Sequence, residues 1–223
     1  MSTLTLQQAQ VITGGVTKTS KMPCKSYSLP TVACRTGFRM AKIAGSICSD
    51  CYANKGFYRM YERTVEPAQH ARLTAIELAL TDTEYRELWL RAMQAVIGLD
   101  AEFRFHDSGD LQSVEHLHLY ADLAERMPTC RFWLPTREYG MVATFCRSRA
   151  VPSNLVVRLS AMFVDQPVKV PASLRGVAGV TVSNVHKLNK PIGHSCPAYT
   201  QQGKCGDCRA CWDRELAVSY PLH

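Results

Sequence analysis

Between residues 65 and 183 the hydrophobic positions change period several times, and each change marks an element. Val65, Ala68, Arg72, Ala75, Ile76, Ala79 and Leu80 fall mostly on one helical stripe, and Thr81-x-x-Glu84 reads as a capping box opening a second helix. That helix carries Tyr85, Leu88, Trp89, Ala92, Met93 and Val96 at helical spacing. Short β-branched and aromatic runs follow at 101–107 (AEFRFHD), 130–135 (CRFWLP), 155–161 (LVVRLSA) and 177–183 (VAGVTVS), recurring every 22 to 29 residues. They read as strands. Residues 113–126 form a predicted amphipathic helix with Val114, Leu117, Ala121 and Ala124 inward, stopped by Pro128. Residues 138–149 can form another, whereas 162–176, with Pro167 and Pro171, offer no convincing one. Residues 1–60 read as irregular, rich in Gly, Ser, Thr and Lys.

Strands alternating with helices predict an α/β fold with a parallel sheet and right-handed crossovers. A complete eight-stranded barrel takes about 250 residues. With 223 residues, four clear strands and cysteine-rich segments at both ends, the expectation is a partial or abbreviated TIM-like (βα) barrel. Nothing reads as a linker, so one domain is expected over 1–223. It would comprise an irregular cysteine-containing segment (1–60), a βα-repeat core (61–190) and a C-terminal cluster-binding segment (191–223).

The chain opens MSTLTLQQAQ, without the pattern of a signal peptide, and no apolar stretch approaches the roughly 18 to 20 residues of a membrane span. A cytoplasmic protein with no membrane association is expected. In that compartment ten cysteines favour metal over disulfides. The net charge of +7 is concentrated: residues 18–63 hold nine Lys or Arg against Asp50 and Glu62. Such a segment suits nucleic acid, an anionic cofactor or an anionic cluster, or is simply a solvated face, and no nucleic-acid-binding motif accompanies it.

The sharpest chemical signal is Cys196-x8-Cys205-x2-Cys208-x2-Cys211. Three thiols inside seven residues can wrap several corners of one [4Fe–4S] cube, with Cys196, followed by Pro197, as the fourth ligand. Zinc is the rival, although its four-cysteine sites usually come as two separated C-x2-C knuckles. A looser group, Cys24-x9-Cys34-x13-Cys48-x2-Cys51, contains one tight pair and allows a second cluster, or a cluster shared between the two ends. Cys130 and Cys146 read as core thiols.

Parallel α/β folds carry their chemistry at the carboxyl ends of strands. Polar residues occupy those positions here: His106, Asp107, Ser108 and Asp110 in HDSGD, Thr136 and Arg137, Ser160 and Met162, Ser183 and Asn184. Each is also a plausible cap or turn residue. HDSGD stands out because a His, two carboxylates and a Gly within five residues can hold a cofactor's hydroxyls or move a proton. His106, Asp107, Asp110 and Arg137 are the candidate catalytic residues, and Ser108, Thr136, Ser160 and Asn184 the candidate cofactor contacts.

The ordered motifs MPCKSYSLP (22–30), CRTG (34–37), GSICSDCYANKGFY (45–58), HDSGD (106–110) and CGDCRACWD (205–213) together resemble the bacteriophage family called gene product 88. That resemblance implies a phage or prophage origin and, for its product, the host cytoplasm. CYA-x-KG and the strand-end HDSGD also look like radical S-adenosylmethionine-like barrel proteins. This second resemblance implies S-adenosylmethionine on a cluster with one open iron. Here x13 stands where that family has x3, and no glycine-rich cofactor strand follows. The expected function is therefore an iron–sulfur protein, redox-active or radical S-adenosylmethionine-like, with an electron donor or small-molecule cofactor as partner. The alternative is a zinc-stapled, non-enzymatic protein that contacts nucleic acid or a host factor through the basic segment.

Overall fold

A computed structural model describes residues 4–222. In chain order its helices and strands are α1 (Leu6–Thr13), β1 (Thr17–Lys18), β2 (Lys25–Tyr27), α2 (Arg35–Met40), α3 (Gly56–Met60), α4 (Glu62–Thr81), α5 (Thr83–Ile97), β3 (Glu102–Phe105) and α6 (Val114–Arg126). There follow β4 (Arg131–Thr136), α7 (Tyr139–Ser148), β5 (Leu155–Ser160), β6 (Val180–His186), β7 (His194–Ser195) and β8 (Val218–Pro221). The strands make one open eight-stranded sheet in the order β1-β2-β3-β4-β5-β6-β8-β7. Every pairing is parallel except β1 with β2. The fold is thus mixed α/β, and from β2 to β6 the strand order follows the chain without reversal.

Side-chain alternation separates the two faces of this sheet. Phe103 and Phe105 of β3, Phe132 and Leu134 of β4, and Leu155, Val157 and Leu159 of β5 join Tyr27 and Leu29 in the main core. Helices α4 to α7 cover that face with Ile76, Trp89, Leu90, Met93, Leu117, Tyr120, Leu123, Val142 and Phe145. The intervening residues point the other way, where Trp133 and Val156 pack with Cys24 and with Trp212 of the C-terminal segment. The sheet therefore has an apolar face under helices and a more polar face under the two chain ends.

Three expectations are corrected. Residues 1–60 are not irregular throughout: α1 is held by a Thr5–Gln8 capping box and ends at Gly14 with φ 72°. In the same segment β2 pairs with β3 over Lys25–Tyr27 and Phe103–Phe105. The α5 cap is Asp82, whose carboxylate accepts from the Glu84 and Tyr85 amides. Thr81 instead ends α4 with its hydroxyl bonded back to Glu77 and Leu78 carbonyls. The sheet also has more than the four strands legible in the pattern, because β1, β2, β7 and β8 are only two to four residues long. The α6 cap, Ser113, is where the pattern predicts it. Among the described residues no helix is long and apolar enough to cross a membrane.

Candidate functional site

HDSGD turns sharply as β3 ends. His106 adopts φ 52°, a left-handed conformation that is costly for a residue with a Cβ, and its amide donates to the Tyr27 carbonyl. Gly109 has φ 78°, and a Cβ there would lie 2.5 Å from that of Leu29. The turn is thereby pressed onto the end of β2, where the Ser108 hydroxyl donates to the Leu29 carbonyl at 2.8 Å and accepts from Gln69 at 2.8 Å. Ser108 is thus used in holding the turn.

Asp110 ties this turn to the end of β4. Its carboxylate accepts from Thr136 Oγ1 at 2.6 Å and from the Arg137 and Leu111 amides at 2.9 and 2.8 Å. Burial raises its pKa to about 6 against those hydrogen bonds. His106 lies 4.0 Å away through Nδ1, which is buried and has no hydrogen-bond partner, while Nε2 meets the Tyr120 hydroxyl at 3.2 Å. Burial, aided by Arg104, lowers the His106 pKa to about 3, so the ring is neutral. Asp107 accepts from Tyr58 at 2.8 Å through Oδ2, leaving a buried, unpartnered Oδ1.

The N-terminal thiols gather over this mouth. The Ile47 amide donates to the Met162 carbonyl, and Ser46 bridges to Phe163, docking the Cys48 loop beyond the end of β5. The Thr36 amide and hydroxyl both donate to the Glu138 carboxylate, at 2.7 and 3.0 Å, docking α2 beyond β4. A Cβ added at Gly37 would meet Cys34 Sγ at 3.6 Å and Cys48 Sγ at 3.7 Å. Burial pushes the Cys34 thiol up, and Asp110, Cys51 and Cys48 push the same way against the Arg137 guanidinium. Cys34, Cys48 and Cys51 are thus neighbours beside Asp110 and Arg137. Arg137 itself donates from Nε to the Ala161 carbonyl at 3.1 Å.

Cys24 stands apart from that trio. It is buried with Trp133, Val156 and Trp212, and Cys211 packs beside them. Burial pushes its thiol up to about 12, with Arg104 opposing and Glu102, Cys205 and Cys130 adding. The Cys205 amide donates to the Lys21 carbonyl at 3.0 Å, so the two chain ends meet here.

Cys196, Cys205, Cys208 and Cys211 form the second group. Burial raises Cys205, and Cys196 and Cys208 are among the neighbours that raise it further. Burial holds Cys211 at about 11, against a Tyr220 hydroxyl 3.3 Å from its Sγ. Cys208 Sγ lies 3.4 Å from His194 Nε2. All ten cysteines are free thiols, and among the described residues no three His, Cys, Asp or Glu side chains form a ready-made metal-ligand group.

The remaining candidates divide. Ser160 meets Ser183 at 3.4 Å near the mouth. Asn184 instead bonds Ser219 at 2.5 Å and the Ile192 carbonyl at 3.0 Å, serving the β6–β8 edge. Cys130 belongs to the main core, and Cys146 packs against it. Sequence reasoning missed Arg104, Arg158, Glu138, Tyr52, Tyr58 and Gly37. An Arg inside each of the strand runs EFRF and VVRLS was the available signal, because a charge amid apolar residues must find partners.

No curated protein and no solved structure matches the chain. The model of the gene product 88 family matches residues 3–214, nearly the whole chain and both cysteine groups. The chain therefore belongs to the gene product 88 family.

Proposed function

We propose that this protein is a phage-type iron–sulfur protein on a partial TIM-like βα barrel, with Cys196, Cys205, Cys208 and Cys211 holding a [4Fe–4S] cluster. Cys34, Cys48 and Cys51 would hold a second at the strand mouth. The observation that carries the reading is the Gly37 cradle: two thiols more than a dozen residues apart face one backbone position where a side chain would intrude. The donor set suits iron–sulfur chemistry, being soft thiols with few oxygen ligands among them. The thiols are protonated where burial raises them, and a bound cation reverses that preference and expels the protons.

A cluster held by four thiolates supplies electron transfer, and one held by three leaves an iron for an added ligand. Around the mouth the chain's own residues would hold and orient such a ligand. Asp110, with a pKa of about 6, can take or give a proton near neutrality, and neutral His106 offers an unpartnered Nδ1. Arg137 supplies positive charge beside Cys34 and Cys48. An electron donor would be the partner.

The His194 nitrogen beside Cys208 favours a second reading, a zinc site stapling the C-terminal segment of a binding protein. One sample decides between them: anaerobically purified protein, with its visible spectrum and its iron, zinc and sulfide contents. Broad brown absorption with matched iron and sulfide is expected, at about four irons per chain for one cluster and about eight for two. Stoichiometric zinc without sulfide would overturn the iron–sulfur reading in favour of the second.

A further inference from the structure

Arg104 stands at the centre of the sheet's polar face and touches both chain ends. Its strand neighbours are Ser26 on β2 and Trp133 on β4, and its guanidinium lies 4.3 Å over the Trp133 ring. That ring meets Trp212, next to Cys211, edge-on at 5.4 Å, while Trp212 Nε1 donates to the Phe103 carbonyl at 2.9 Å. On the other side Arg104 Nη2 donates to the Tyr52 hydroxyl at 3.4 Å, next to Cys51, and that hydroxyl donates onward to the Asp107 carbonyl. Nη1 meets the Met22 sulfur at 3.3 Å, in the segment where Lys21 accepts from the Cys205 amide. Cys51–Tyr52–Arg104–Trp133–Trp212–Cys211 is therefore a continuous path of contacts from one thiol group to the other.

We infer that Arg104 is a positioning residue that couples the two cysteine segments, so that each thiol group is ordered only while the other is docked. The physical reason is that neither segment has a core of its own. The residues around Cys34, Cys48 and Cys51 are short 3-10 and helical turns with no fully buried apolar side chain, and the C-terminal segment packs on this face, beside Cys24, through Trp212. Losing Trp212 removes the surface that holds Trp133 against the guanidinium. Arg104 is then free to leave Tyr52, and the hydroxyl loses one of its two partners.

The test is pulsed alkylation of the reduced, metal-free full chain, with each cysteine's rate read by mass spectrometry relative to Cys130, which is buried in the main core behind the sheet. In Trp212→Ala, Cys48 and Cys51 at the opposite end of the path should label at least about threefold faster, the scale of a modest coupling. In an Arg104→Met background the same Trp212→Ala change should leave Cys48 and Cys51 where Arg104→Met alone puts them. Unchanged Cys48 and Cys51 rates in Trp212→Ala would overturn the inference. So would an equal rise in both backgrounds, or a rise no greater than that of Cys130, which marks general unfolding.

Discussion

Arg158 offers the sharpest energetic test, because its side chain is fully buried on β5 and, among the described residues, meets no carboxylate at ion-pair distance. The guanidinium is solvated by backbone instead. Nη1 donates to the Val182 and Leu216 carbonyls at 2.9 and 2.7 Å, and Nη2 to Asp213 at 2.9 Å, Ala210 at 3.2 Å and Cys211 at 3.4 Å. Four of the five carbonyls belong to residues 210–216, so one side chain fixes the loop that follows the last cysteine. Each of the three short bonds to a charged donor is worth about 1.5 to 3 kcal/mol net. Relief of burying the cation, which also lowers its pKa, returns several kcal/mol of that total. Arg158→Met should therefore destabilise the metal-free protein by about 4 kcal/mol, because the Val182, Leu216 and Asp213 carbonyls lose their donor in a buried site. In urea, with a slope of about 2 kcal/mol/M, the unfolding midpoint should fall by about 2 M. Cys211 should also alkylate faster in the native state. A stability loss under about 1 kcal/mol would refute the reasoning, since it would mean that the carbonyls find other partners at little cost.

Gly37→Ala should change the stability of the metal-free protein by less than about 1 kcal/mol, because the position is helical and Ala is the better helix former. It should nonetheless lower metal content per chain, read by elemental analysis, since the Cβ would sit 3.1 Å from that of Cys34 and in contact with two sulfurs. Gly109→Ala combines a left-handed φ of 78° with a 2.5 Å approach to Leu29, and thermal or urea unfolding should register a loss of about 2 to 4 kcal/mol. Acidification should destabilise the fold. Unfolding restores His106 from about 3 to its ordinary 6.5, so the unfolded chain binds the extra proton as pH falls from about 6.5 towards 3. His116, also held low by burial, acts in the same direction. Asp110 opposes them: its raised folded value of about 6 against 3.8 means that the folded state takes up the proton first. Between pH 7 and pH 4 the His106 effect exceeds that of Asp110 by about 0.8 kcal/mol, a net loss that His116 enlarges. Urea titrations at pH 7 and pH 4 should show this loss, and His106→Gln should shrink it.

The helices α4 to α7 and the strands β3 to β6 were legible because each shows its own hydrophobic period over enough residues to stand out. The α1 helix was missed although its ends are marked by Thr5-x-x-Gln8 and Gly14, because the surrounding polar composition hides any apolar period. The strands β2 and β8 were not, since KSY and VSYP carry no period and become strands only because β3 and β6 present free edges to them. In the site, the spacing identified HDSGD as a strand-end turn and the cysteines as two groups. It could not show that Asp110 caps the end of β4, or that Cys24 lies with the C-terminal group rather than with Cys34, Cys48 and Cys51.

What the sequence determined by itself was local: the periods that make the helices and longer strands, the thiol inventory, the clustered positive charge and the turn residues that end β3. What only the tertiary structure decided was adjacency across the sheet, namely which thiols share a neighbourhood and what the buried Arg104 and Arg158 guanidiniums touch. The reason is that a parallel sheet brings together residues far apart in the chain, as with Cys24 and Cys205. Pairing of that kind is fixed by packing between faces, to which spacing along the chain is blind.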